Sequence, residues 1–182
     1  MAEGRAIQIA DDRAADALRI VLDRPQDVAN IGAVVRAIKN MGLRGLRLVA
    51  PRPFAAEDLA RYAHHCEDVI ARIEVFADLD AALADTVWVV GTAAHAHAGR
   101  ALATDMPALM DACVARSQAG PVALVFGTED DGLSRAALDR CHVIATLPVD
   151  PDYPALNLAQ SVLLFAYELR QARLRQGASG AR

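Results

Sequence analysis

Pro121-Val-Ala-Leu-Val-Phe-Gly127, running on into Thr128-Glu-Asp-Asp-Gly-Leu133, is the stretch that sets the fold class of this chain. Five uninterrupted apolar residues bounded by proline and glycine read as a strand buried on both faces, and such strands belong to parallel sheets covered by helices. The carboxyl end of a strand of this kind is where open α/β sheets bind their ligands. Gly127 and Gly132 permit a tight loop there, positive φ included, with Glu129 between them.

Similar runs recur on both sides. Leu18 to Leu22, Leu46 to Ala50, Ile73 to Phe76, Thr86 to Val90 and Val143 to Leu147 read as further strands. Helical patterns separate them: Val28 to Met41, Ala55 to His65, Leu79 to Ala84, Pro107 to Gln118, Ser134 to Arg140 and Leu156 to about Arg175. This alternation predicts an α/β protein with a Rossmann-like, mostly parallel, doubly wound sheet. Asp27 or Asn30 can cap the first helix, Gly42 suits its end, and Ser134 caps the fifth.

A chain of 182 residues, 54% of them hydrophobic, buries one substantial core, so residues 1–176 read as a single domain and 177–182 as a loose tail. No run approaches the ~20 apolar residues that span a bilayer, and Glu3, Arg5, Asp11, Asp12 and Arg13 interrupt any signal core, which reads as cytoplasmic. Cys66, Cys113 and Cys141 are odd in number and widely spaced, as expected of reduced thiols. His64-His65-Cys66, and His95 with His97, lack a carboxylate or further cysteine at ligand spacing, so no metal is expected.

The net charge of −4 argues against a surface that binds polyanions everywhere. Locally the balance differs. Arg36, Lys39, Arg44, Arg47 and Arg52 occupy a stretch free of acids, and Arg170, Arg173, Arg175 and Arg182 follow the last acidic residue, giving two basic runs that could hold RNA.

Two further segments carry chemistry. Asn30-Ile-Gly-Ala-Val-Val-Arg36 opens the first long helix. Gly32 in its first turn lets an anion such as a phosphate approach free backbone amides. Gly32 and Arg36 share a face near Lys39 and Asn40, opposite an apolar stripe of Val28, Ile31, Val35 and Ile38. Taken alone, the segment reads better as an amphipathic surface helix with an incidental arginine. Leu156-Asn-Leu-Ala159 places an asparagine in the first turn of the last helix, where local backbone can satisfy it.

In this order the Asn30–Arg36, Phe126–Leu133 and Leu156–Ala159 segments resemble the three signature motifs of the SpoU/TrmH branch of the SPOUT methyltransferases. These enzymes move a methyl group from S-adenosylmethionine to a ribose 2′-hydroxyl of RNA. The resemblance covers Arg19 to Gln171 and is nearest the TrmJ-like subgroup, which methylates tRNA in the anticodon loop. It implies a deep C-terminal trefoil knot, a feature that hydrophobic periodicity cannot show and that fold rules disfavour.

The resemblance also implies the site. Arg36 would be the residue of catalysis, with Asn30, Glu129 and Asn157 beside it. The methyl donor would lie against Thr92, Ala93, Ala94, Gly127, Gly132, Leu147, Ala155, Leu156 and Asn157. Because an arginine stays protonated, Arg36 is a poor general base and suits a role holding a phosphate and a developing oxyanion. The implied partners are RNA, with tRNA favoured over rRNA, and a second copy of the chain whose Arg36 would complete the site; no membrane is implied. One departure stands out: many relatives have serine or threonine where this chain has Ala155, a hydroxyl worth roughly 0.5–1.5 kcal/mol.

Two alternatives follow from other readings of the same residues. A non-catalytic knotted RNA-binding or assembly protein would keep the motifs without turnover. A nucleotide-dependent oxidoreductase is disfavoured, because no G-x-G-x-x-G follows the first strand and no G-x-x-x-x-G-K-[ST] occurs.

Overall fold

The computed structural model of the chain describes residues 15–95 and 99–179, so the expectations for His97 and Arg182 fall outside the described residues. Seven strands form one sheet: β1 (Leu18–Asp23), β2 (Gly45–Val49), β3 (Glu74–Phe76), β4 (Trp88–Thr92), β5 (Leu102–Ala103), β6 (Val122–Phe126) and β7 (Val143–Ala145). Their order is β3-β2-β1-β6-β4-β7-β5. Every pairing is parallel, with Leu18 opposite Val122 and Leu22 opposite Phe126 where β1 meets β6. β1, β2, β6 and β7 are almost wholly buried, as continuous apolar runs require, whereas β3 is an exposed edge.

The helices are α1 (Val28–Asn40), α2 (Ala56–Tyr62), α3 (Glu67–Ile70), α4 (Leu79–Leu83), α5 (Met106–Arg116), α6 (Arg135–Leu138) and α7 (Leu158–Ser179). Asp27 caps α1 by accepting from the Ala29 amide at 2.8 Å; Asn30 lies inside the helix instead. At the other end Gly42, with φ +69°, turns the chain so that the Leu43 amide reaches the Ile38 carbonyl at 2.8 Å. Ser134 caps α6 as expected. Helix α7 packs against α1 and α5, and it buries Leu158, Val162, Phe165 and Leu169 on one stripe. Leu163, Leu164, Tyr167 and Leu174 remain exposed on it.

Several boundaries depart from the sequence reading. β4 starts two residues late because the Thr86 hydroxyl is turned back onto the Leu83 carbonyl, at 2.7 Å, in a turn. β7 ends at Ala145, and α7 begins at Leu158 and runs on through Ser179, so 177–179 are helical. Strand β5 and helix α3 had no counterpart, being too short for periodicity to register.

The basic runs also resolve differently. Arg47, 4% exposed, is a structural cation: it grips Asp85 through two bonds of 2.6 and 2.8 Å, reaches Glu74 and the Ala82 carbonyl, and lies 5.4 Å from the Phe76 ring centre. Arg173, 5% exposed, donates to the Met41 and Gly42 carbonyls at the end of α1. Lys39 pairs with Asp68 and Arg175 with Asp111. Arg36 and Arg52 stay on the surface.

All three cysteines are buried and free. Burial pushes the Cys113 thiol up to about 12 and the Cys141 thiol to about 11, so both stay protonated. Among the described residues, no helix is long and apolar enough to cross a membrane and no group of histidine, cysteine and carboxylate side chains has a metal-binding arrangement.

Candidate active site

Three neighbouring strands, β6, β4 and β7, end at one cavity of about 430 Å³. After β4 it is lined by Thr92, Ala93, Ala94 and His95; after β6 by Gly127 to Leu133; after β7 by Ala145, Thr146, Leu147 and Val149. Pro154, Ala155, Leu156, Leu158, Ser161 and Phe165 close it from the C-terminal side. The volume lies within the 300–1,000 Å³ of ordinary small-molecule sites, and the position is the one that open parallel sheets use. The cavity therefore gathers Thr92, Ala93, Ala94, Gly127, Gly132, Leu147, Ala155 and Leu156, eight of the residues expected at a donor site; Asn157 stands just outside the lining.

Local structure explains the shape. The Thr92 hydroxyl donates to the Val125 carbonyl at 3.0 Å, fixing the end of β4 against β6. Phe126 and Phe165 meet edge to face, 5.5 Å between ring centres, and give the cavity an aromatic wall. Thr128 and Gly132 pair through two backbone bonds of 3.1 Å, which pinch the loop shut. Gly132 has the positive φ, +67°, and Gly127 is needed for another reason: a Cβ there would stand 2.0 Å from the Gly132 carbonyl carbon. Close backbone approach, and not a left-handed conformation, therefore fixes glycine at 127.

Asn30, Glu129 and Asn157 come together at the rim. The Glu129 carboxylate accepts from the Gln26 amide (3.0 and 3.2 Å), the Asp27 amide (3.1 Å) and the Asn30 side-chain amide (3.1 Å). The Asn30 oxygen in turn accepts from the Asn157 side-chain amide at 2.9 Å. Burial works to raise the Glu129 carboxyl, but the bonds from Asn30, Gln26, Asp27 and its own backbone amide outweigh it and hold the group below the usual range. Glu129 is thus an ionised tie with its oxygens engaged. Asn157 does two things at once. Its oxygen caps α7 through the Ala159 and Gln160 amides, and Gln160 returns a bond to the Asn157 amide, a capping box.

Arg36 stands apart. It is exposed on α1, does not line this cavity, and makes no hydrogen bond or ion pair with any described residue. Gly32 is not an anion site: it is buried, and a Cβ on it would lie 2.3 Å from the Tyr62 Cβ. Thr146, Ser161 and Phe165 line the cavity without having been singled out as site residues in the sequence; of these, Ser161, one helical turn past Asn157, offered a spacing by which it could have been found.

Fold and site together define an α/β protein with a cavity of small-molecule size at the carboxyl ends of parallel strands, under a polar bridge joining the start of α1, the loop after β6 and the start of α7. The chain belongs to the SpoU rRNA Methylase family, whose model matches residues 17–167. It is 39% identical over 157 residues to the tRNA (cytidine/uridine-2'-O-)-methyltransferase TrmJ of Klebsiella pneumoniae, an alignment covering 86% of this chain and 64% of that one. The chain thus spans just under two thirds of that relative's length. Among solved structures, a probable methylase family protein from Haemophilus influenzae superposes with a TM-score of 0.83 at 35% identity, covering 89% of this chain and 68% of that one. A probable methyltransferase from Bordetella pertussis gives 0.80 at 32%, covering 91% and 99%.

Proposed function

We propose that this protein transfers a methyl group from S-adenosylmethionine to the 2′-hydroxyl of a pyrimidine nucleotide in RNA, with tRNA favoured over rRNA. The observation that carries the reading is the cavity itself: eight residues expected to hold the donor line one space beneath the Asn30–Glu129–Asn157 bridge. The curated relatives that it resembles act on cytidine and uridine of tRNA.

The lining fits the donor. Phe126, Leu156, Leu158 and Phe165 offer an apolar bed for a flat base, and Thr128, Thr146 and Ser161 put hydroxyls beside it. When bound, the donor supplies an electrophilic methyl on a sulfonium. Glu129, held ionised by its four donors, keeps the loop after β6 against the start of α1, and Asn157 fixes the start of α7 at the same point. The acceptor oxygen must lose its proton to solvent as the new bond forms. Arg36 serves that step as a fixed cation for the RNA phosphate and the developing negative charge.

Arg36 lies outside the cavity of its own chain, which supports a homodimer in which Arg36 of one subunit serves the cavity of the other. The exposed apolar face of α7, with Leu163, Tyr167 and Leu174 on one side of the helix, supplies a surface for it. The same reading carries a C-terminal trefoil knot and a cytoplasmic location. Incubation with methyl-labelled donor and either tRNA or rRNA, followed by digestion to nucleosides, tests it. Label in 2′-O-methylpyrimidines of tRNA is the expected result. Tight donor binding without label in any RNA would replace the enzyme by a non-catalytic RNA-binding protein.

A further inference from the structure

A second cleft of about 530 Å³ lies against the donor cavity, and the two share Glu129 and Asp130 as a common wall. Its apolar lining residues are Val28, Pro53 and Phe54. Its rim carries Arg52 and the carboxylates of Asp58 and Asp130, while Asp27 and Glu129 also face it. One arginine among four carboxylates makes this a poor place for a phosphate. A flat ring over Phe54 with hydrogen-bond donors on its edge matches the lining.

We infer that this cleft receives the base of the nucleotide being methylated and selects cytosine over uracil. The inference rests on the methyl-transfer reading. In a nucleotide the 2′-hydroxyl and the base sit on adjacent ring carbons, so a ribose presented at the mouth of the donor cavity leaves its base one sugar-width away, across the shared wall. Asp27 and Glu129 already spend oxygens on backbone amides. Asp58 has only a loose pairing with Arg61 at 3.6 Å, and Asp130 is exposed, so both keep lone pairs for a ligand. The exocyclic amine of cytosine donates to such an acceptor. Uracil presents a carbonyl oxygen at the same edge, lone pair against lone pair. Asp58 and Asp130 are specificity-determining residues.

The test uses the full-length protein and one tRNA that it methylates, transcribed in two forms that differ only by cytidine or uridine at the target. The parent should favour cytidine about tenfold in kcat/KM, the worth of one well-made discriminating bond. Asp58→Asn, whose amide can turn to donate to uracil and which lies outside the donor cavity, should bring that ratio towards one while donor affinity and melting temperature stay at parental values, and Asp130→Asn should lower the ratio in the same direction. Equal rates on both transcripts, a preference for uridine, or a tenfold ratio that survives both substitutions would overturn the inference while leaving methyl transfer standing. Absence of methylation on either transcript would instead remove the reading beneath it.

Discussion

Gly32 lies directly beneath Tyr62: a Cβ at position 32 would stand 2.3 Å from the Tyr62 Cβ and 3.2 Å from its carbonyl carbon. Alanine is favoured over glycine by roughly 1 kcal/mol inside a helix, which taken alone makes Gly32→Ala stabilising. Overpacking against the end of α2 costs about 1–3 kcal/mol, and backbone atoms are among those struck, so the clash wins. We expect a net loss of up to about 2 kcal/mol in denaturant unfolding. Tyr62→Ala keeps the offending Cβ and should not rescue it; Tyr62→Gly should recover part of the loss.

Asn157 both caps α7 and bridges to Asn30, and two substitutions separate these roles. Asn157→Ala loses both and should cost about 1 kcal/mol of stability, as caps do. Asn157→Asp keeps an acceptor at the helix start, so stability should hold, but it loses the amide that reaches Asn30 and brings a second negative charge towards Glu129. Methyl transfer should fall by roughly five- to tenfold in both variants. Unchanged turnover in Asn157→Asp would show that only the cap matters.

Glu129 couples the site to pH. Its carboxyl is held below the ordinary range when folded, so the unfolded chain takes up a proton at higher pH than the native one. The stability it contributes is complete above the ordinary carboxylate range and is lost as pH falls through the depressed native value. Glu129→Gln should accordingly melt below the parent at pH 7, and the gap should narrow on acidification towards pH 3. A gap constant over that range would mean that the carboxylate charge contributes nothing.

A shared site has a numerical signature. Arg36→Ala should keep donor binding and lose methyl transfer. Ala155→Trp, at an exposed position of the cavity wall, should fill the cavity and lose both with little harm to the fold. Coexpression of the two variants gives about half mixed dimers, each with one intact site of two, so roughly a quarter of parental activity should return. A mixture that stays inactive would mean that each subunit uses its own Arg36.

The sequence made the sheet readable where strands were largely apolar, uninterrupted in β6 and broken by a single charged residue in β2, because burial on both faces leaves few polar positions to confuse the pattern. It could not show that β4 inserts between β6 and β7, since strand order depends on packing remote from any strand. Charge counting misread Arg47, whose partner Asp85 is 38 residues away, and Arg173, whose partners are backbone carbonyls of another helix. Gly32 followed the rule for anion-binding helix starts, but Tyr62 already occupied the space. Thr92, Gly127, Leu147 and Leu156 were legible as one site through the resemblance of the motifs. The bonds joining Asn30, Glu129 and Asn157 span 99 and 127 residues and leave no local trace.

The pairing of β1 with β6 has a consequence for synthesis on the ribosome. Leu18 waits for Val122, roughly a hundred residues later, before the inner edge of its strand is satisfied. At translation rates of about 5–20 residues per second, a largely apolar strand stands with one row of amides and carbonyls open for about 5–20 seconds. Nascent chains that stall before β6 would therefore expose an adhesive edge that the finished molecule conceals at the centre of its sheet.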